Sequence, residues 1–222
     1  MDRLILAFWI FLFLFNSYAS GGEEMIQLPK PKLEGKVSVE EAISKRRSLR
    51  EFKGKALSIE EVGQLLWAAQ GITHPAGYRA APSAGALYPL EVYLVVRDVE
   101  GLEPGVYKYH VKTHSLTIVT KASPGKSPVY ELYQAALSQE CIQRAHINIV
   151  LGAVFERTTS KYRERGYRYV YMEAGHAAQN VLLQAEALGL GGVVVGAFYD
   201  EMVRSALSMA AEPVYIISVG RR

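Results

Sequence analysis

Apolar positions along the chain fall into two rhythms, and the switches between them set out the expected elements. Ser38 with Glu41 three residues on forms a capping box, and Val39, Ala42 and Ile43 give a helical stripe running into Lys45-Arg46-Arg47. Ser58 and Glu61 form a second box, after which Val62, Leu65, Leu66 and Ala69 recur at helical spacing up to the stop signal Gly71. Unbroken apolar or alternating runs at 91–97, 105–110 and 115–120 predict strands. The last two read as an antiparallel hairpin joined through Lys112-Thr113-His114. A helix over 129–139, a buried strand over 147–155, a long helix over 170–188 ended by Gly189, a short helix starting at Asp200 and a closing strand over 213–220 complete the pattern. Short sequential connections argue against an all-parallel sheet. The fold class is therefore α+β, a mainly antiparallel sheet flanked by helices.

The ends of the pattern differ from its middle. Asp2-Arg3 precedes the apolar run Leu4 to Phe15, which exits through Ser17-x-Ala19. Residues 1–19 thus read as a secretory signal cleaved near Ala19, with an uncleaved membrane anchor as the alternative. Either predicts an exported or membrane-anchored protein, with a cytoplasmic one as the alternative. Residues 20–37 carry Pro29, Pro31 and mixed charges without periodicity, and read as a linker or a surface arm; residues 38–222 form the domain.

Charge and composition narrow the function classes. The 222 residues hold 25 Lys and Arg against 22 Asp and Glu, a net charge of +3 with no basic tail. That balance speaks against a dedicated nucleic-acid binder. With Cys141 as the single cysteine, neither an intrachain disulfide nor a thiolate metal cluster can form. Arg and Tyr interleave from 157 to 171 (Tyr162, Arg163, Arg165, Tyr167, Arg168, Tyr169, Tyr171), a composition enriched at subunit contacts. Glu173 and His176, one helical turn apart, read as a packed polar pair rather than a metal site, since no further ligand accompanies them.

Three stretches carry chemistry. If the chain is extended after the first helix, Arg46, Ser48 and Arg50 share one face, so guanidinium forks and a hydroxyl point the same way, a set suited to phosphate. The loop Pro82-Ser83-Ala84-Gly85-Ala86-Leu87 has almost no side chain, so its backbone can approach a flat ligand closely. The glycines of 188–198 sit between a helix and a strand, the reverse of the dinucleotide fingerprint. They can still let backbone groups reach a planar ligand.

Together the Lys45-Arg46-Arg47-Ser48-x-Arg50-x-Phe52 segment, the loop from Pro82 to Pro89 and the Leu188-Gly189-Leu190-Gly191 break resemble the nitroreductase-like flavoproteins. Tyr-Arg-x-Arg-Gly-Tyr-Arg-Tyr from Tyr162 and Glu173-Ala-Gly-His-Ala-Ala-Gln-Asn resemble the branch holding the SagB-type azoline dehydrogenases. The resemblance covers about 38–222. It implies non-covalent FMN and an obligate homodimer with flavin sites at the subunit interface. It assigns Arg46, Arg47, Ser48 and Arg50 to the FMN phosphate and pyrimidine edge, and residues 82–87 of the other subunit to the isoalloxazine. Backbone groups of Gly192, Gly196 and Ala197 fall to flavin N5 and O4, with Gln139 and Arg221 as further contacts and Arg221 on the phosphate. No protein nucleophile and no metal is expected, because the flavin carries the chemistry.

Two features depart from the family. Gly196-Ala197 stands where many nitroreductases carry Glu-Gly, and no long tail follows Arg222. The expected function is an FMN-dependent oxidoreductase that passes hydride through flavin N5 between a reduced donor such as NAD(P)H, or an azoline-type small-molecule or peptide substrate, and an acceptor. The alternatives are an FMN-binding, non-catalytic partner or scaffold of a peptide-modifying complex, and a secreted binding module without flavin.

Overall fold

The computed structural model describes residues 25–222, so the leader and the first part of the linker lie outside the described residues. In chain order the elements are β1 (Met25–Gln27), α1 (Val39–Lys45), α2 (Ile59–Gln70), a 3-10 turn (Ala84–Ala86), β2 (Leu90–Val96), β3 (Gly105–His110) and β4 (Ser115–Lys121). There follow α3 (Pro128–Ala135), α4 (Glu140–Arg144), β5 (Ile147–Ala153), α5 (Glu156–Tyr162), α6 (Arg165–Ala187), β6 (Leu190–Val195), α7 (Asp200–Leu207) and β7 (Glu212–Arg221).

The strands form one seven-stranded sheet in the order β1-β4-β3-β2-β5-β7-β6, and every neighbouring pair is antiparallel. The α+β expectation holds. Side chains of one strand alternate between two cores. Val92, Leu94 and Val96 of β2 join Ile149 and Leu151 of β5 and face α2 and α6, whereas Tyr93, Val95 and Val150 join Leu132 of α3 and Val203 of α7. Helices cover both faces, which is why these strands read as continuous apolar runs instead of alternating with polar residues.

Only the second of the two expected capping boxes closes; at the first, Ser38 caps the helix but the Glu41 carboxylate accepts from Lys45 instead of reaching back. Ser58 accepts from the Glu61 amide while the Glu61 carboxylate accepts from the Ser58 amide, and Ser38 accepts from the Glu41 amide. Three further expectations change. Residues 25–27 of the linker pair with β4 at the sheet edge, and Leu28 is buried beside them. The helix over 129–139 breaks after Ala135, because Leu137 and Ser138 adopt positive φ and the chain restarts as α4 with Gln139 as its N-cap. The long helix begins at Arg165, so the Arg/Tyr run is largely helical.

The outer edge of β6 is occupied by residues 46–50. Ser48 bridges Gly192 in parallel, and the Leu49 amide donates to the Gly192 carbonyl at 3.0 Å. Leu49 lies so close to Gly191 that a Cβ there would come within 2.3 Å of its Cδ2. Gly191→Ala is expected to lower stability by about 1–3 kcal/mol in urea unfolding through overpacking. Gly175→Ala, on an open face of α6 with nothing within 4 Å, is expected to be neutral or to raise stability by up to about 1 kcal/mol.

Candidate functional site

Docking of residues 46–50 on the sheet edge fixes which side chains point outward. Leu49 turns in toward Gly191, so Ser48 and Arg50 on the opposite parity are exposed, and Arg46 is half-buried at the end of α1. Among the described residues, neither Arg46 nor Arg50 has a side-chain partner. Arg47 is different: its Nη1 donates to the Ser44 and Arg46 carbonyls at 2.9 and 2.8 Å, capping α1. Two uncommitted guanidiniums beside an exposed hydroxyl make a donor set with the chemistry of an anion site.

The same end of the molecule gathers other expected residues. Glu51 pairs with Arg144 of α4, tying the segment to that helix. Arg50 lies close enough to Cys141 of α4 to act on its thiol, whose pKa burial pushes up and Arg50 draws back down. Gln139 heads α4, and its Nε2 donates to the Ala197 carbonyl at 3.0 Å, so it holds the turn after β6 in place. Gly196 and Ala197 are exposed there, and a Cβ on Gly196 would meet only Tyr215, at 3.7 Å.

Two expectations are corrected. Gly192 is buried, its carbonyl is taken by Leu49, and a Cβ on it would strike Leu182 at 2.9 Å; its missing side chain serves packing. Arg221 does not face an open anion site. Its guanidinium makes paired hydrogen bonds to Glu61, at 2.8 and 3.1 Å, and donates to the Lys55 and Ala56 carbonyls.

The loop 82–87 lies elsewhere. Pro82, Gly85 and Ala86 are exposed and present a nearly flat surface. Its shape needs left-handed backbone at Gly85 (φ 64°), Ala86 (φ 53°) and Tyr88 (φ 47°), and the two residues bearing a Cβ each cost about 1–2 kcal/mol. Ser83 holds the curve, its Oγ accepting from the Tyr88 amide at 2.9 Å. Arg157 donates to the Tyr88 carbonyl at 3.3 Å and pairs with Glu91 at 2.6 Å. Over Gly85 sit Lys161 and Tyr162 of α5, whose Nζ and hydroxyl would lie 3.1 and 2.9 Å from a Cβ at that position. Lys161 drew no notice in the sequence, since only the tertiary approach of α5 to Gly85 brings it to the site.

Under the loop is a buried polar cluster. Glu173 is 2% exposed and Gln70 is fully buried, while Arg79 donates from Nη1 to Gln70 Oε1 at 2.8 Å and lies 4.2 Å above the Tyr88 ring. Burial pushes the Glu173 carboxyl up to about 7, against the pull of Ser83, Arg79 and Gln70. His176 is exposed, so the expected Glu173–His176 pair does not form. Among the described residues no three His, Cys, Asp or Glu side chains converge on a common point.

Within one chain the two halves stay apart. Leu182 of α6 touches Gly192 beside residues 46–50, and Glu173 of α6 neighbours Ser83; those nine residues span about 13 Å of helix.

A carboxyl whose folded pKa is raised favours the folded state fully only below its unfolded value of 4.5, and that stability is lost as pH climbs through about 7. Glu173→Gln keeps the shape of the neutral acid. Its thermal unfolding should therefore match that of the parent near pH 5 and exceed it at pH 8, by about 1–3 kcal/mol.

With this geometry in hand, comparison with known proteins places the chain. A protein of Methanocaldococcus jannaschii bearing the provisional name nitroreductase is 44% identical over 199 residues, covering 90% of this chain and 98% of its own. The microcin B17-processing protein McbC of Escherichia coli is 31% identical over 156 residues, 69% of this chain, which spans 57% of McbC. The solved E. coli microcin synthetase McbBCD complex with truncated pro-MccB17 bound contains a chain of like fold, with TM-score 0.67, 25% identity and coverage of 98% of this chain and 84% of that one. The Nitroreductase family model aligns with residues 43–221, from the middle of α1 to the end of β7, and the chain belongs to that family.

Proposed function

We propose that the protein is an FMN-dependent oxidoreductase acting as a homodimer, in which residues 46–50 of one copy and the loop 82–87 of the other enclose one flavin. The single observation that carries this is the pair of uncommitted guanidiniums, Arg46 and Arg50, flanking Ser48 on a segment locked to the sheet edge. Their fork geometry suits a phosphate monoester, and among the described residues no carboxylate pairs with them. The separation of the two halves along α6 supports the dimer, because a ligand bound at one end of a chain needs its second face from elsewhere. Exposed Val39, Ile43, Tyr171 and Met172 on α1 and α6 supply apolar surface for such a contact.

Bound FMN would supply hydride transfer through its N5. The chain's residues have the remaining tasks. Arg46, Ser48 and Arg50 hold the phosphate, while the backbone at Gly196 and Ala197, steadied by Gln139, offers hydrogen bonds to the ring edge. Pro82, Gly85 and Ala86 would cover the ring and keep water from it. Lys161 and Tyr162, poised over Gly85, can hold or pass a proton at Nζ and the phenol oxygen toward a substrate on the open side.

A second reading is favoured by the likeness to a chain of the microcin synthetase complex: a flavin-binding subunit that serves a peptide-modifying assembly and does not turn over alone. Rapid mixing with NADH and NADPH separates the two, since bleaching of the flavin band marks the enzyme and an unchanged spectrum marks the partner. Under both readings the purified protein takes up added FMN and turns yellow. Arg50→Ala should weaken FMN binding about 10- to 100-fold in fluorescence titration, the loss expected for one charge-assisted contact. A protein that stays colourless with excess FMN would reject both.

A further inference from the structure

The geometry points to Glu173 as a positioning residue for the loop 82–88: a buried carboxyl that takes up and releases a proton and, through the Ser83 hydroxyl, sets how firmly the loop keeps its shape. Its bearing on cofactor binding rests on the reading above; its bearing on the loop does not.

The loop does not rest in a relaxed conformation, with Ala86 and Tyr88 both in the left-handed region, so something must hold it. Ser83 does so by accepting the Tyr88 amide at 2.9 Å, and Arg79 adds its stack on the Tyr88 ring. Both holding groups are neighbours of Glu173, a side chain 2% exposed whose Oε1 has no hydrogen-bond partner. Gln70 Nε2, also buried in the cluster, lacks one too. A donor and an acceptor left open side by side indicate a cluster that changes its bonding with its charge.

The two charge states treat Ser83 differently. An ionised Glu173 accepts the Ser83 hydroxyl proton and the Gln70 amide, which leaves the Ser83 lone pairs to the Tyr88 amide. A neutral Glu173 must place its own O–H. Gln70 Oε1 is already engaged by Arg79, and an O–H given to Ser83 Oγ makes that oxygen serve two donors, the carboxyl and the Tyr88 amide, while the Ser83 hydroxyl loses its charged acceptor. The loop is thereby held less firmly in the neutral state. The groups facing the carboxyl are Gln70 of α2 and Arg79 and Ser83 around the loop, with Arg157 of α5 and Tyr88 and Tyr109 acting on Arg79 behind them; His176, on the same helix, is exposed. With a midpoint near 7, both states are populated at neutral pH.

The test follows the Ser83 and Tyr88 backbone amides by NMR in labelled, cofactor-free protein from pH 5.5 to 8.5. Both resonances should move together with one midpoint near neutrality in the parent and stay flat in Glu173→Gln. In Ser83→Ala the Tyr88 amide should no longer move. Amides that titrate in Glu173→Gln as they do in the parent, or that do not titrate in the parent, would overturn the assignment. In parallel, FMN affinity should rise about five- to tenfold from pH 6 to pH 8 in the parent and remain at the low-pH level in Glu173→Gln. Amides that titrate while FMN affinity stays level would overturn the link to the cofactor. If neither protein binds FMN, the FMN reading fails and the amide titration still decides the role of Glu173.

Discussion

Leu49 pressed onto Gly191, with its amide bonded to the Gly192 carbonyl, is the constraint from which the candidate site follows. An open strand edge exposes a row of unpaired amides and carbonyls, and covering it is ordinarily a matter of solubility. Here the covering segment also carries Arg46, Ser48 and Arg50. Because a strand-like segment alternates, sinking Leu49 into the edge obliges Ser48 and Arg50 to face outward, and no other contact is needed to aim them. The glycines fit this account better than a ligand-facing one. At 191 and 192 they admit Leu49 and Leu182 close to the strand backbone, whereas at 189 and 196 the missing side chain leaves open space.

A different economy governs the loop 82–88. It presents backbone and methyl groups outward, which requires positive φ at Ala86 and Tyr88, residues that disfavour it. The conformation is over-determined from below. Ser83 closes it, Arg157 and Arg79 fasten Tyr88, and Asn180 donates to the Ala80 carbonyl at 3.2 Å. Three of these four anchors come from outside the bare strip, and two of them, Arg157 and Asn180, lie far along the chain from it.

That division explains what the sequence made legible. The strands, the hairpin, both capping residues and the Gly189 stop are local signals, and each has its structural counterpart within a few residues. The outward parity of Ser48 and Arg50 was legible for the same reason. The break at Leu137 and Ser138 was not, because both residues adopt a backbone that neither favours and the run from 129 keeps its helical spacing through it. Residues 25–27 carry too few apolar positions to announce a strand, and only the free edge of β4 makes them one. Arg221 read as an open cation because its partner, Glu61, lies 160 residues away. Glu173 and His176 read as a pair on spacing alone, but burial separates them. Position on a helix gives proximity along the axis, not a shared environment.

The long helix joins these parts without merging them. α6 contributes Leu182 to the packing beside residues 46–50 and Glu173 to the floor of the loop, so a single rigid rod sets the distance between the two surfaces; in the proposed dimer each would serve a different flavin. A buried carboxyl in the middle of that helix is costly to keep charged, and an apolar residue would pack there without that cost. Its retention in the core makes most physical sense where the loop above depends on the charge it can lose.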